Sequence, residues 1–311
     1  MDILSIFWVI FSTVILPIFL QICIGFAIQR KLKFDLRTLS QIQLYVMVPA
    51  MLFIKIYQSD VAGDIVSKVI LSTIVIYVIL VALGFLVAWI CRFKNGMRNA
   101  FANSVSMYNS GNYCIPLMQL LFNGDPFVMS VQAIVMTTQN IIVSTVGALM
   151  ASAGTSGIKD ALKSVLKIPM IYVAVIAVIF KLFEVPVWTP VVSTIDIIST
   201  GLVPVALFTL GAQLAEVKMS FSDYRIYISN FIKLVIAPVV AFITIMIFGI
   251  TGIPAQIVMI VTAAPTAVNV LILSMQYNNE PEYTSKAVFS STVLSCITVT
   301  AVIYISQLVF G

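Results

Sequence analysis

The chain has 311 residues, 61 % of them hydrophobic and only 9 % charged, with a net charge of +5 and no histidine. So little charge cannot clothe a water-soluble globule, and so much hydrophobicity excludes a disordered chain. Without His the commonest general base, metal ligand and proton switch are gone, and a polytopic helical membrane protein is the expected class.

Charged and Gly/Pro-rich breaks divide the chain into ten apolar segments, predicted at 4–29, 39–57, 66–90, 97–122, 129–152, 168–184, 191–215, 229–250, 254–276 and 287–309. About 20 apolar residues cross a bilayer, so each segment can be a transmembrane helix. The first follows Asp2 rather than a basic region and is too long for a cleaved leader, so it reads as a span. Cys23, Cys91, Cys114 and Cys296 stand alone, without metal or redox spacing, and read as small buried hydrophobes. No loop can house a soluble domain, and neither a cofactor motif nor a metal site is expected. Function must lie within the membrane-embedded part.

Lysine and arginine set the orientation. With the N-terminus outside, the inner loops and adjoining helix ends hold Arg30, Lys31, Lys33, Arg37, Arg92, Lys94, Arg98, Lys159, Lys163, Lys167, Lys218, Arg225, Lys233 and Lys286. Lys55, Lys68 and Lys181 fall outside. Fourteen of 17 basic residues on one side place both termini on the outer side. They also make the positive charge an orientation signal rather than a nucleic-acid footprint.

Two windows repeat at an offset of 155 residues: VPAMLF at 48–53 with VPVALF at 203–208, and FNGDP at 122–126 with YNNEP at 277–281. Five spans per half would give the halves opposite orientations. The expected fold is therefore all-α, ten transmembrane helices as a 5+5 inverted repeat. Its parts are 1–152, a cytoplasmic linker at 153–167, and 168–311. Inverted repeats mark secondary transporters, whose substrates bind near the midplane at discontinuous helices.

The repeat directs attention to the fourth and ninth segments, and both are interrupted. In the fourth, Asn109-Ser110-Gly111-Asn112 followed by Pro116 is poor helix, because Asn, Ser and Gly compete for the backbone and Pro lacks a donor. In the ninth the interruption is Pro265. At ~1.5 Å per residue the breaks lie roughly 18 and 17 Å into their segments, near the middle of a ~30 Å core. A half-helix beginning there aims N–H groups and about +0.5 of charge at the midplane, enough to hold a carboxylate without an Arg. The predicted substrate-binding set is Asn109, Ser110, Gly111, Asn112, Tyr113, Pro265, Thr266 and Asn269, with Pro116 and Pro265 as crossover hinges. The plainer alternative is a Pro kink healed by Asn–backbone bonds.

Asp196 is the one acid clearly inside a segment, and either carries an ion or proton or favours the positive end of its own helix. Lys55 reads as an interfacial snorkel. Gln21, Gln119, Gln139, Asn140 and Gln213 read as ties between helices.

These residues also resemble a family. NSGNYCIPL at 109–117 is similar to the Asn-x-Gly…Ile-Pro-Leu element of the auxin efflux carriers. APTAVNVLILSMQY at 264–277 is similar to their Ala-x-Pro-x-Ala-x-Asn…Tyr element. VPAMLF and IDIISTGLVPVALFTLGAQLAE at 196–216 match more weakly. The resemblance runs nearly end to end and points to the bacterial malate/malonate permease-like branch, hence to a multi-pass protein of a bacterial inner membrane. It implies that the fourth and ninth helices cross at the substrate site, involving Asn109, Pro265 and Asn269. It also implies a scaffold of helices 1, 2, 6 and 7 and an elevator-like transport unit of helices 3–5 and 8–10. Tyr108, Tyr113, Cys114 and the short link between spans five and six depart from the family pattern, which argues against auxin itself.

The expected activity is transport of small organic anions such as malate, malonate or auxin-like acids. The coupling is H⁺, Na⁺ or membrane potential alone. The alternative is a sodium-coupled symporter of the bile-acid-carrier-like fold, with a channel behind it. An intramembrane enzyme lacks a constellation: no His, no clustered acids and no Ser/Lys dyad in mid-span. Partners are the bilayer and the anion, with no nucleic acid. A homodimer through the scaffold is expected only by analogy with other elevators.

Overall fold

Asp, Pro and Gly end the apolar segments close to where the sequence places them. In a computed structural model, which describes residues 3–59, 61–152, 166, 168–217 and 223–311, all regular structure among the described residues is helical. The helices are α1 Ser5–Leu32, α2 Leu36–Gln58, α3 Gly63–Ile90, α4 Asn95–Ser106, α5 Cys114–Leu121 and α6 Pro126–Ala151. They continue as α7 Pro169–Leu182, α8 Thr189–Ala215, α9 Tyr224–Phe248, α10 Gly252–Thr262, α11 Val268–Gln276 and α12 Pro281–Phe310.

Seven of these, α1, α2, α3, α6, α8, α9 and α12, are long and apolar enough to cross a membrane. Their ends agree with the predicted segments to within six residues. The other three predicted segments differ. The sixth forms a 14-residue helix, and the fourth and ninth each hold two short helices. The expected linker at 153–167 lies outside the described residues except for Leu166.

The helix starts follow from capping chemistry. Asp35, Asp125 and Asp223 accept the backbone N–H of Arg37, Val128 and Arg225 at 3.0 Å, so α2, α6 and α9 begin there. The Arg225 guanidinium beside Asp223 also holds its carboxyl below the usual carboxylate range. Pro126, Pro169 and Pro281 take first-turn positions, where a missing N–H costs nothing.

Inside the long helices proline acts differently. Pro17, Pro49 and Pro238 each follow a wide π turn, at Phe11–Ile15, Gln43–Met47 and Ile232–Ile236. A proline offers no N–H and crowds the carbonyl four residues back. That carbonyl is on Thr13, Tyr45 or Leu234, the middle of each π turn. The wide turn absorbs the clash, and the helix runs on instead of breaking.

The surface is inverted relative to a soluble protein. Leu20, Ile24, Val78, Leu86, Ile247 and Leu308 are exposed, whereas Ser290, Ser291, Ser295, Thr300 and Ser306 of α12 face inward. Cys23 is exposed too, which corrects its reading as buried: toward lipid an apolar thiol has no need of cover. At the other extreme, Lys233 is completely buried inside α9 and is not an interfacial residue. Four basic residues assigned to inner loops, Arg92, Lys94, Arg225 and Lys286, line one cavity of about 620 Å³ with Asp223 and Glu280.

Close packing of α1 on α8 depends on two glycines. A Cβ at Gly25 would strike the Phe208 carbonyl, and one at Gly211 would strike the Ile22 carbonyl. Small residues let backbones approach where no hydrophobic effect drives helices together. Gly211→Ala is expected to destabilise the protein by about 1–3 kcal/mol. Gly63→Ala, with open space around it, is expected to leave it unchanged. Melting temperatures in detergent check the pair.

Candidate functional site

The two interruptions meet. Met107 N–H bonds to Asn103 and closes α4, and the chain then runs extended through Tyr108. In the other half α10 ends at Thr262, and Pro265 to Ala267 run extended before α11. Tyr108 and Thr266 face each other in an isolated antiparallel bridge. Asn109 N–H donates to the Pro265 carbonyl at 2.9 Å, and Ala267 N–H donates to the Met107 carbonyl at 3.1 Å.

Side chains close most of what remains. Thr266 N–H donates to Ser291 Oγ at 3.1 Å, and its hydroxyl donates to the Ser104 carbonyl at 2.8 Å. Gln132 Nε2 donates to the Ser110 carbonyl at 2.7 Å, and the hydroxyls of Ser104 and Tyr283 pair at 2.9 Å. Asn109 Nδ2 and Gln132 Oε1 are buried here without a partner among the described residues.

The two restarting helices are not equivalent. At α5 the N–H groups of Cys114, Ile115 and Leu117 bond to the carbonyls of Asn109, Gly111 and Tyr113, and Pro116 has none. The expectation that this helix end offers free donors is corrected: the tight loop consumes them. At α11 the N–H groups of Val268 and Asn269 make no backbone hydrogen bond among the described residues. Of the two, α11 is the open N-terminus.

Asn109, Ser110, Tyr113, Pro116, Pro265 and Thr266 are buried at this junction. Gly111 and Asn112 are half-buried and Asn269 is exposed, so the predicted set spans the junction from interior to surface. Asp196 is apart from this network. It is half-buried on the second turn of α8, and makes no hydrogen bond or ion pair among the described residues. Of the predicted ties, Gln213 reaches Ser40 at 3.4 Å and joins α8 to α2.

Sequence reasoning missed Ser104, Gln132, Ser291 and, above all, Lys233. Lys233 Nζ donates to the Thr262 carbonyl at 3.1 Å and stands 4.7 Å from the centroid of the Tyr108 ring. It is a mid-span lysine where none was expected. Its hydrogen-bond and ring partners are that carbonyl and that ring, and the buried Cys114 thiol is near enough to interact with it electrostatically.

The sequence profile of the family described as "Membrane transport protein" matches residues 9–304. The chain belongs to that family, the auxin efflux carriers. Among its relatives this membrane transport protein is 26 % identical over 304 residues to a Rhizobium meliloti (strain 1021) protein provisionally named a malonate transporter, covering 94 % of each chain. It is 25 % identical over 312 residues to an uncharacterized transporter of Escherichia coli (strain K12), covering 95 % and 97 %. A third, an uncharacterized transporter of Methanothermobacter thermautotrophicus (strain Delta H), is 22 % identical over 268 residues, covering 85 % and 86 %.

In this transporter, losing the Ser291 hydroxyl strands a buried amide. Ser291→Ala is expected to cost about 1–3 kcal/mol of stability. Thr200→Ala, whose exposed hydroxyl bonds only within its own helix, is expected to cost far less. Thermal unfolding of the two variants compares them.

Proposed function

We propose that the protein carries small organic anions, dicarboxylates such as malonate foremost, by elevator-type alternating access, with the anion bound beside the junction of residues 107–113 and 263–267. One observation carries this reading: Met107 to Asn109 pairs with Pro265 to Ala267 and leaves a buried Asn109 amide unpartnered next to the open N-terminus of α11. Unbonded N–H groups and the positive end of a helix dipole suit a carboxylate. The name of the R. meliloti relative supports malonate as the first substrate to try.

In this reading α4 with α5 forms the fourth span and α10 with α11 the ninth, and ten spans make the 5+5 inverted repeat, 1–152 and 168–311. At ~1.5 Å per residue, helices of eight to twelve residues are too short to cross ~30 Å singly. Asn123 and Asn278, one repeat apart, both take left-handed backbone just before the proline that starts α6 or α12, which supports the duplication. Spans 1, 2, 6 and 7 form the scaffold, spans 3–5 and 8–10 move, and both termini lie outside. The common cavity of Arg92, Lys94, Arg225 and Lys286 supports the assignment of their loops to one side.

Asn109 and Asn269 hold the anion and Asn112 borders it. In proteoliposomes, [¹⁴C]malonate uptake is expected to saturate. Asn109→Ala and Asn269→Ala are each expected to weaken apparent affinity by about tenfold, the worth of one charge-assisted hydrogen bond, with melting temperatures near wild type. Unchanged affinity in both variants removes these residues from the site. Uptake that never saturates points to a channel. Because Asp196 stands outside the junction network, Asp196→Asn is expected to keep the wild-type pH profile of uptake. A displaced profile would make it the proton carrier.

A further inference from the structure

Lys233 is a lysine with no exposed surface. Its side chain is wholly buried ten residues into α9, on the π turn that precedes Pro238. No carboxylate pairs with it among the described residues. A charge taken out of water is costly unless the protein replaces its hydration.

Two groups do so. Thr262 is the last residue of α10, where the free carbonyls carry about −0.5 of charge. The amide that would close a further turn on Thr262 is that of Thr266, and it is committed to Ser291 Oγ. The Thr262 carbonyl therefore faces the ammonium at 3.1 Å. The Tyr108 ring supplies the second face, with its centroid at 4.7 Å. Backbone carbonyls and aromatic faces are the groups that receive a dehydrated monovalent cation.

We propose that Lys233 is a tethered cation: its ammonium fills a cation site made by the Thr262 carbonyl and the Tyr108 ring, so that anion loading needs no sodium. The proposal rests on the carrier reading for the anion but not for the cation site. Having no exposed surface, Lys233 is a positioning residue rather than a substrate ligand. It fixes the end of α10 against α9 and raises the positive potential beside Asn109, the neighbour of Tyr108.

The test uses the purified full-length protein in sodium, potassium, methylammonium and choline chlorides. The wild type is expected to show one melting temperature, and one malonate uptake rate, in sodium, potassium and choline. Lys233→Ala opens a hole in the cation site. It is expected to melt lower and to regain part of the loss in methylammonium or sodium, but not in choline, whose cation is too large. Lys233→Met fills the hole without charge, and is expected to lose malonate uptake by at least about tenfold, with no salt restoring it.

Three results would overturn the proposal. One is wild-type uptake or melting that rises with sodium. The second is Lys233→Ala melting alike in every salt. The third is Lys233→Met with wild-type uptake, a variant close enough in shape to fold if the alanine variant does not. A wild type that moves no malonate refutes the carrier reading alone, because the melting comparison still decides the role of Lys233.

Discussion

A backbone amide inside a lipid bilayer has no water to turn to, and an interrupted helix leaves up to four such groups unbonded on each side of its gap. Everything at the centre of this protein follows from that constraint. The two gaps close each other through Asn109–Pro265 and Ala267–Met107. Ser291, Gln132 and Lys233 then reach in from α12, α6 and α9 to the groups that backbone pairing leaves over, and the Thr266 hydroxyl donates to the Ser104 carbonyl of α4. The inward Ser/Thr face of α12 belongs to the same account, since it supplies compact hydroxyls to a core that holds irregular backbone.

The long helices answer the constraint in another way. Where proline removes a donor at Pro17, Pro49 or Pro238, the turn widens to a π turn and the helix continues. Two fates of proline thus sit in one chain. With Asn, Ser and Gly nearby, as before Pro116, the helix stops. Without such an Asn-Ser-Gly-Asn run, as at Pro238, it bulges. The bulge at Ile232–Ile236 bears Lys233, the one buried lysine among the described residues.

Much of this architecture could be read from the residues. Long apolar runs between charged breaks located seven helices within a few residues, because bilayer thickness sets their length. The polar run at Asn109 to Asn112 and the lone Pro265 marked the interruptions, because competition for the backbone is local chemistry. Hydropathy carries no information on which segments touch: only the family resemblance pointed to their crossing, and the backbone hydrogen bonds between them were not legible. Lys233 was misread for a specific reason. A segment predicted from 229 puts Lys233 near an interface, whereas Asp223 caps the helix and starts it at Tyr224, which sets the lysine deep in α9. Free donors at α5 were expected from its helix start alone. The four residues between Asn109 and Cys114 turn tightly enough to bring the carbonyls of Asn109, Gly111 and Tyr113 onto them.

The reciprocal closure of the gaps has a mechanical side. Parting the two interruptions would strip Asn109, Ala267, Met107 and Pro265 of their partners at once in a dry interior. At roughly 1–3 kcal/mol for each stranded group, the cost is about 4–12 kcal/mol, comparable with the whole binding free energy of a small ligand. The junction ties the two interruptions together as a rivet would, and backbone that is free to bend lies in the connections around it.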